Sequence, residues 1–262
     1  MNILNLRQLI AAIAISGLWA GPASAFHIVI DPGHGGTDTG AVHSNIKEAD
    51  LVLKVANKLK ALLEKNEKFK VTMTRAADRN ISLPDRVKLA EGSKADLFVS
   101  LHANAASDQR AKGVEFFFQN NLPPDEESLF LASQENQAVL NSMHATDDTS
   151  NDLSKKGDVA AIVEDLRRQN RITSSLRLTQ TLTQTWENDV RSSQATIKQA
   201  PFYVISKTSM PSVLIEVGFL TNPREAKRLT SADYQSDLAQ KIYTALVSYK
   251  EKVDKAEAKT LN

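Results

Sequence analysis

Short apolar runs alternate with amphipathic helical patterns over most of this chain, and strands that are apolar on both faces need helices to cover them. Phe26-His27-Ile28-Val29-Ile30 reads as a buried strand, ended by Asp31-Pro32-Gly33. From Asp50 to Glu64, the spacing of Leu51, Val52, Val55, Leu59, Leu62 and Leu63 predicts an amphipathic helix. Phe69 to Thr74 reads as a strand, and Leu83 to Ser93 as a helix with Pro84 near its start. Leu97-Phe98-Val99 gives a central strand over Asp96 to His102, and Val114 to Gln119 a further one. Strand signals recur at Phe202 to Ser206 and Ser212 to Phe219, and Ala232 to Lys252 closes the pattern as an amphipathic helix. The order predicts an α/β fold, a mostly parallel twisted sheet flanked by helices.

The segment from 120 to 199 interrupts this rhythm. It shows no clear strand, but helical patterns at Asp125 to Met143 and Val159 to Val190, joined by a polar linker from His144 to Asp158. Sheet signals flank it, so it reads as a helical insertion before the last strands and not as a second domain. Its apolar positions Val159, Ile162, Val163, Leu166, Ile172, Leu176 and Leu178 are expected mostly to pack on the core.

The first 25 residues stand apart. Arg7 precedes an almost wholly apolar stretch from Leu9 to Ala20, and Ala23-Ser24-Ala25 has the small-x-small form of a signal peptidase site. Residues 1–25 are therefore expected to be a signal peptide, 26–253 one folded domain and 254–262 a frayed tail. Without Arg7 the 32 basic residues fall to 31 and equal the 31 acidic ones, so the mature chain offers no net charge to attract nucleic acid. The apolar stretch is too short to span a bilayer comfortably, and no membrane span is expected after cleavage. There is no cysteine in the sequence, so no disulfide can form within it and no lipoprotein anchor is expected.

Of five histidines, His34 and His102 share a telling placement. His34 follows the first strand in Asp31-Pro32-Gly33-His34-Gly35-Gly36, and His102 ends a central strand in Ser100-Leu101-His102-Ala103-Asn104. Ligands of α/β sheets gather at the carboxyl ends of strands, so the two imidazoles can converge on one metal. A catalytic zinc usually takes three protein ligands. Glu48, at the start of the first helix, is a candidate third, and it would equally serve as a first-turn glutamate that suits the helix dipole. Glu216 lies inside Val213-Leu214-Ile215-Glu216-Val217-Gly218-Phe219, where a lone carboxylate is unfavourable unless paired, protonated or working. Beside a metal-activated water it would be a general base; otherwise it would pair with Arg75 or Arg86.

No His-Glu-x-x-His helix, Gly-x-Ser-x-Gly elbow or catalytic cysteine is present. The motifs Ile30-Asp31-Pro32-Gly33-His34-Gly35-Gly36, Lys47-Glu48, Ser100-Leu101-His102-Ala103-Asn104 and Pro211-Ser212-Val213-Leu214-Ile215-Glu216-Val217-Gly218-Phe219-Leu220-Thr221-Asn222 resemble the amidase-3 family of zinc N-acetylmuramoyl-L-alanine amidases. The resemblance runs from about Phe26 to Lys250. It implies that His34, Glu48 and His102 bind one zinc ion and that Glu216 is the catalytic carboxylate. Asn104 would contact substrate or position His102. The implied substrate is peptidoglycan, cut between N-acetylmuramic acid and L-alanine of the stem peptide.

The insertion resembles that of cell-division members of the family, in which a helix covers the active site until an activator binds. Glu135, in Ser133-Gln134-Glu135-Asn136, resembles the glutamate that caps the zinc there; otherwise Glu126, Glu127 and Glu135 form one solvated helix face. The likeness implies a monomer in the periplasm whose insertion receives a protein activator. Two other functions compete with the amidase: another zinc hydrolase of the wall, such as a peptidase or sugar deacetylase, and a non-catalytic peptidoglycan-binding protein.

Overall fold

In a computed structural model, residues 25–137, 139, 158–189 and 194–260 are described. Residues 1–24 of the signal-peptide segment, residues 144–157 of the His144 to Asp158 linker and the distal part of the Asp125 to Met143 pattern, Val139 excepted, lie outside them. A six-stranded sheet runs in the order β4-β1-β5-β8-β6-β7. Its strands are β1 (Phe26–Pro32), β4 (Phe69–Met73), β5 (Leu97–Asn104), β6 (Val114–Phe118), β7 (Ala195–Gln199) and β8 (Ser212–Phe219). β4, β1, β5 and β8 are mutually parallel, β6 runs against β8, and β7 follows β6. β2 (Val42–His43) and β3 (Ile46–Lys47) make a small hairpin, turned by Ser44 and Asn45 at φ of 49° and 64°.

Period-two alternation sorts the strands onto two apolar cores. Ile28, Ile30, Leu97, Val99, Leu101, Val213, Ile215 and Val217 face one side. There they meet Leu59 and Leu63 of α1 (Glu48–Leu63), Leu178 and Trp186 of α4 (Asp158–Glu187), and Leu238, Ile242 and Leu246 of α7 (Ala232–Thr260). Val29, Phe98, Phe117 and Leu214 face the other side, against Ala90 of α2 (Leu83–Ser93), Ala132 of α3 (Glu126–Glu135) and Val204 and Ile205 of α5 (Tyr203–Ser206). Each fully buried Leu, Ile or Phe contributes roughly 1.5–3 kcal/mol. Ser82 caps α2 by accepting from the Asp85 N–H, and Asp125 caps α3 by accepting from the Ser128 N–H.

Four expectations need correction. Phe202 to Ser206 is a helical turn over Tyr203–Ser206, not a strand, because Phe202, Val204 and Ile205 all bury on one core. The 120–199 segment does contain a strand, β7, whose pairing with β6 supplies order that its polar sequence hides. The tail is not frayed from residue 254, since α7 continues to Thr260 and a Lys250–Asp254 ion pair at 2.8 Å spans its last turns. Finally, among the named insertion positions whose side chains are described, Ile172 and Leu178 are buried and Leu176 is half-buried, whereas Ile162, Val163 and Leu166 are exposed, because the first half of α4 stands clear of the sheet. A further helix, α6 (Pro223–Leu229), starts at Asn222, whose side chain accepts from the Arg224 and Glu225 N–H groups.

Candidate metal centre

The carboxyl ends of β1, β5 and β8 open on one cleft of about 530 Å³, lined by His34, Glu48, Asn104, Glu135 and Glu216 among others. The loop after β1 takes its shape from two buried arginines. Arg75 donates to the carbonyls of Pro32, Gly33 and Ala49, and Arg86 to those of Pro32 and His34. Arg86 also pairs with Asp31 at 2.7 Å, and Asp31 accepts from Thr74 and Ser100. Burial works against the Asp31 charge, but Arg86 and these hydroxyls hold its carboxyl below the usual range. Neither arginine reaches Glu216, so the ion-pair reading of Glu216 fails.

The clamped loop turns left-handed at His34, with φ of 56°. A Cβ at Gly33 would fall 2.5 Å from the His102 ring, so only glycine lets the backbone pass this close. The two imidazoles lie with ring centroids 4.9 Å apart. His102 sits beside Glu216 in the β5–β8 register, just before an irregularity in the pairing.

Glu48 stands where either reading of its position would place it. It belongs to the first turn of α1 and is 3% exposed, with its carboxylate turned into the cleft. Ala41 N–H donates to Oε2 and Ala103 N–H to Oε1. Its Oε1 lies 3.1 Å from His34 Nε2 and 3.0 Å from His102 Nδ1. Glu135, at the end of α3, brings Oε2 to 3.5 Å and 3.6 Å from the same two nitrogens. It therefore does not share the solvated face on which Glu126 and Glu127 are exposed.

Donors bound tetrahedrally at about 2.0–2.2 Å lie about 3.3–3.6 Å apart, close to these separations. His34 Nε2 is buried and has no hydrogen-bond partner: the Glu48 oxygen is near but misaligned, as when two donors point at a common third atom. Nitrogen and carboxylate donors of this kind suit zinc. His34, His102 and Glu135 likewise offer ligand atoms within 4.8 Å of one another. Asp38, overlooked in the sequence, lies 2.9 Å from His34 Nδ1 and orients the ring as an outer carboxylate does in metal sites.

The electrostatics follow from this crowding. Burial opposes protonation of His34, but Glu48 and Asp38 outweigh it and push the imidazole up to about 11. Burial likewise disfavours the Glu48 charge, yet His34 and His102 bring its pKa far down. Glu216 shows the opposite outcome. Burial, then the charges of Glu48, Glu135 and Glu115, raise its pKa well above the ordinary carboxylate range. Its Oε2 is buried without a partner. Burial also raises Glu135. Asn104 donates to Glu115 Oε2 at 3.1 Å rather than to His102. Glu115 was legible by the signal that singled out Glu216, a carboxylate inside an apolar strand.

The chain is similar to known amidases over most of its length. The family model described as N-acetylmuramoyl-L-alanine amidase (Amidase_3) matches residues 28–248. N-acetylmuramoyl-L-alanine amidase AmiA of Escherichia coli (strain K12) is 33% identical over 225 residues, 85% of this chain and 75% of the relative. N-acetylmuramoyl-L-alanine amidase AmiC of Escherichia coli O6:H1 is 32% identical, with 85% of this chain matching 52% of it, so the chain spans about half of AmiC's length. The solved N-acetylmuramoyl-L-alanine amidase of Clostridium difficile 630 superposes with a TM-score of 0.64 at 30% identity, over 87% of this chain and 98% of that one. The CwlD amidase of Clostridioides difficile, solved in complex with the GerS lipoprotein, shares the fold at a TM-score of 0.63 and 23% identity, over 86% of this chain and 98% of that one. With the family model matching nearly the whole described fold and these relatives alongside it, the chain belongs to the N-acetylmuramoyl-L-alanine amidase family, Amidase_3.

Proposed function

We propose that this chain is a zinc-dependent N-acetylmuramoyl-L-alanine amidase that cuts the amide between N-acetylmuramic acid and L-alanine of the peptidoglycan stem. The observation that carries the reading is the convergence of His34, Glu48 and His102 beside the partnerless carboxyl oxygen of Glu216. His34, His102 and Glu48 would hold the ion, through His34 Nε2, His102 Nδ1 and a Glu48 oxygen. Zinc, when bound, lowers the pKa of a water and polarises a carbonyl.

Glu216 is the general base, and a nearby cation favours its ionised form against the burial that raises its pKa. It takes the proton from the attacking water and returns it to the alanine nitrogen as the amide C–N bond breaks. Asp38 fixes the His34 ring, while Arg75 and Arg86 hold the loop that carries it.

Glu135 caps the metal in a resting form, with α3 lying over the cleft. Its carboxylate stands where the water and the substrate carbonyl must come, so α3 has to withdraw before turnover. Exposed Leu129 and Phe130 on α3, and Ile162 and Leu166 on α4, give a protein activator apolar surface to grip. The apolar, small-x-small start of the chain supports export to the periplasm, with the mature enzyme a monomer.

The test is product analysis on purified peptidoglycan with the metal-loaded mature chain carrying Glu135→Ala. Stem peptides with L-alanine at their amino end are expected, and none after adding Glu216→Ala. Shortened stems or deacetylated sugars would instead show a different wall hydrolase, and no products at all would favour a binding protein.

A further inference from the structure

The face of the sheet beside Glu216 holds a second buried carboxylate that the chemistry above leaves unused. Glu115 lies directly across from Glu216 in the β6–β8 pairing and is 8% exposed. Asn104 Nδ2 donates to its Oε2, and Lys198 Nζ on β7 lies 2.8 Å from its Oε1. The same ammonium donates to Glu127 Oε2 on α3 at 3.1 Å. Lys198 is therefore shared between two carboxylates of different standing. Glu115 is built into the sheet, whereas the Glu127 side chain is 68% exposed and sits on the helix that covers the cleft. Burial disfavours the Lys198 charge, but these two acids overcome it and raise its pKa.

A small cavity of about 120 Å³ joins these groups, lined by Asn104, Glu115, Glu127, Gln134 and Lys198 among others. Asn104 and Gln134 also line the metal cleft, so the two spaces are adjacent. α3 thus delivers two carboxylates at once, Glu135 to the histidines and Glu127 to Lys198. Eight residues of helix span about 12 Å. That is roughly the length of three to four residues of extended peptide.

We propose that Lys198, held in place by Glu115, is a specificity-determining residue that reads a free carboxylate on the stem peptide, and that Glu127 occupies this position in the closed form. The inference rests on the amidase reading. When α3 withdraws, the Lys198–Glu115 pair is neutral, partly buried and left with unused N–H donors. A stem carboxylate restores the charge-assisted contact that Glu127 made, whereas a carboxamide brings no charge. Lys198 touches the substrate far from the scissile bond, so it selects among stems and takes no part in bond breaking.

The experiment uses the metal-loaded mature chain opened by Glu127→Gln and Glu135→Ala, with Glu216→Gln added to prevent turnover. Calorimetry compares N-acetylmuramoyl pentapeptide bearing free stem carboxylates with its fully amidated twin. The free acid is expected to bind about ten-fold tighter or better. Lys198→Met should erase that preference without changing affinity for the amidated form, and Lys198→Arg should keep it. Equal affinity of the opened chain for the two ligands, or a preference that survives Lys198→Met, overturns the inference. Cleavage of the same pair by the opened chain with Glu216 intact reads the amidase reaction separately. Release of stem peptide together with equal affinities overturns the Lys198 assignment alone, and a Lys198-dependent preference without release overturns the amidase reading alone.

Discussion

α1 and α3 both deliver a glutamate to the same pair of histidines, yet they are attached to the protein in different ways. α1 buries Glu48 together with Ala49, Leu51, Val52, Val55, Ala56, Leu59 and Leu63, and its carboxylate accepts two backbone N–H groups. α3 buries only Ser128 and Ala132, and its Glu135 oxygen lies farther from both imidazoles. Leu129 and Phe130 on α3 face outward. A ligand carried by a packed helix is permanent, whereas one carried by a helix with little buried surface can be displaced by modest competing contacts. On the proposed reading, the difference separates the part of the centre that stays fixed from the part that withdraws.

The permanent side should be fragile to substitution. Arg86→Met leaves Asp31 buried without its cation and is expected to destabilise the fold by about 3–5 kcal/mol, read by chemical denaturation at pH 7. The sign with pH is fixed by the lowered Asp31 pKa. Its stabilisation is present above the unfolded carboxyl value of about 3.9 and is lost as pH falls through the lower folded value. The gap between variant and wild type should therefore close on acidification, and a gap that widens below pH 4 would put the stabilisation elsewhere. Leu59→Ala, in the C-terminal half of α1, should cost about 2–5 kcal/mol in the same assay.

The removable side should respond in activity and not in stability. Glu135→Ala is expected to raise basal release of stem peptide roughly 5–150-fold, the range of ordinary coupling between two states. Unchanged basal activity would show that α3 is no barrier. Phe130→Ser, exposed on the same helix, should shift stability by no more than about 0.5 kcal/mol. A loss comparable to that of Leu59→Ala would erase the contrast between the two helices.

What could be read from the sequence follows the same division. β1, β5 and β8 are nearly continuous apolar runs, so the strands themselves and the placement of His34 and His102 at the ends of two of them were plain. Glu216 stood out because nothing else in its strand is charged. β7 was missed because an edge strand of sequence Ala-Thr-Ile-Lys-Gln is only partly buried and carries no alternation. Tyr203–Ser206 is too short to show a helical period, and its β-branched residues suggested a strand. The Asn222-Pro223 start of α6 and the Ser44-Asn45 turn were available signals that went unread. Asp38, Arg75 and Arg86 act through contacts with residues distant in the chain, or across a loop of irregular shape, which no local pattern reports.

The metal assignment is tested most directly by zinc content per chain after exhaustive dialysis, measured for the mature wild type, His34→Ala and Glu135→Ala. Folding of each is checked by circular dichroism. One zinc per chain is expected in the wild type and in Glu135→Ala, and none in His34→Ala. Zinc retained by folded His34→Ala, or lost from Glu135→Ala as completely as from His34→Ala, would contradict a centre built on the sheet and merely covered by α3.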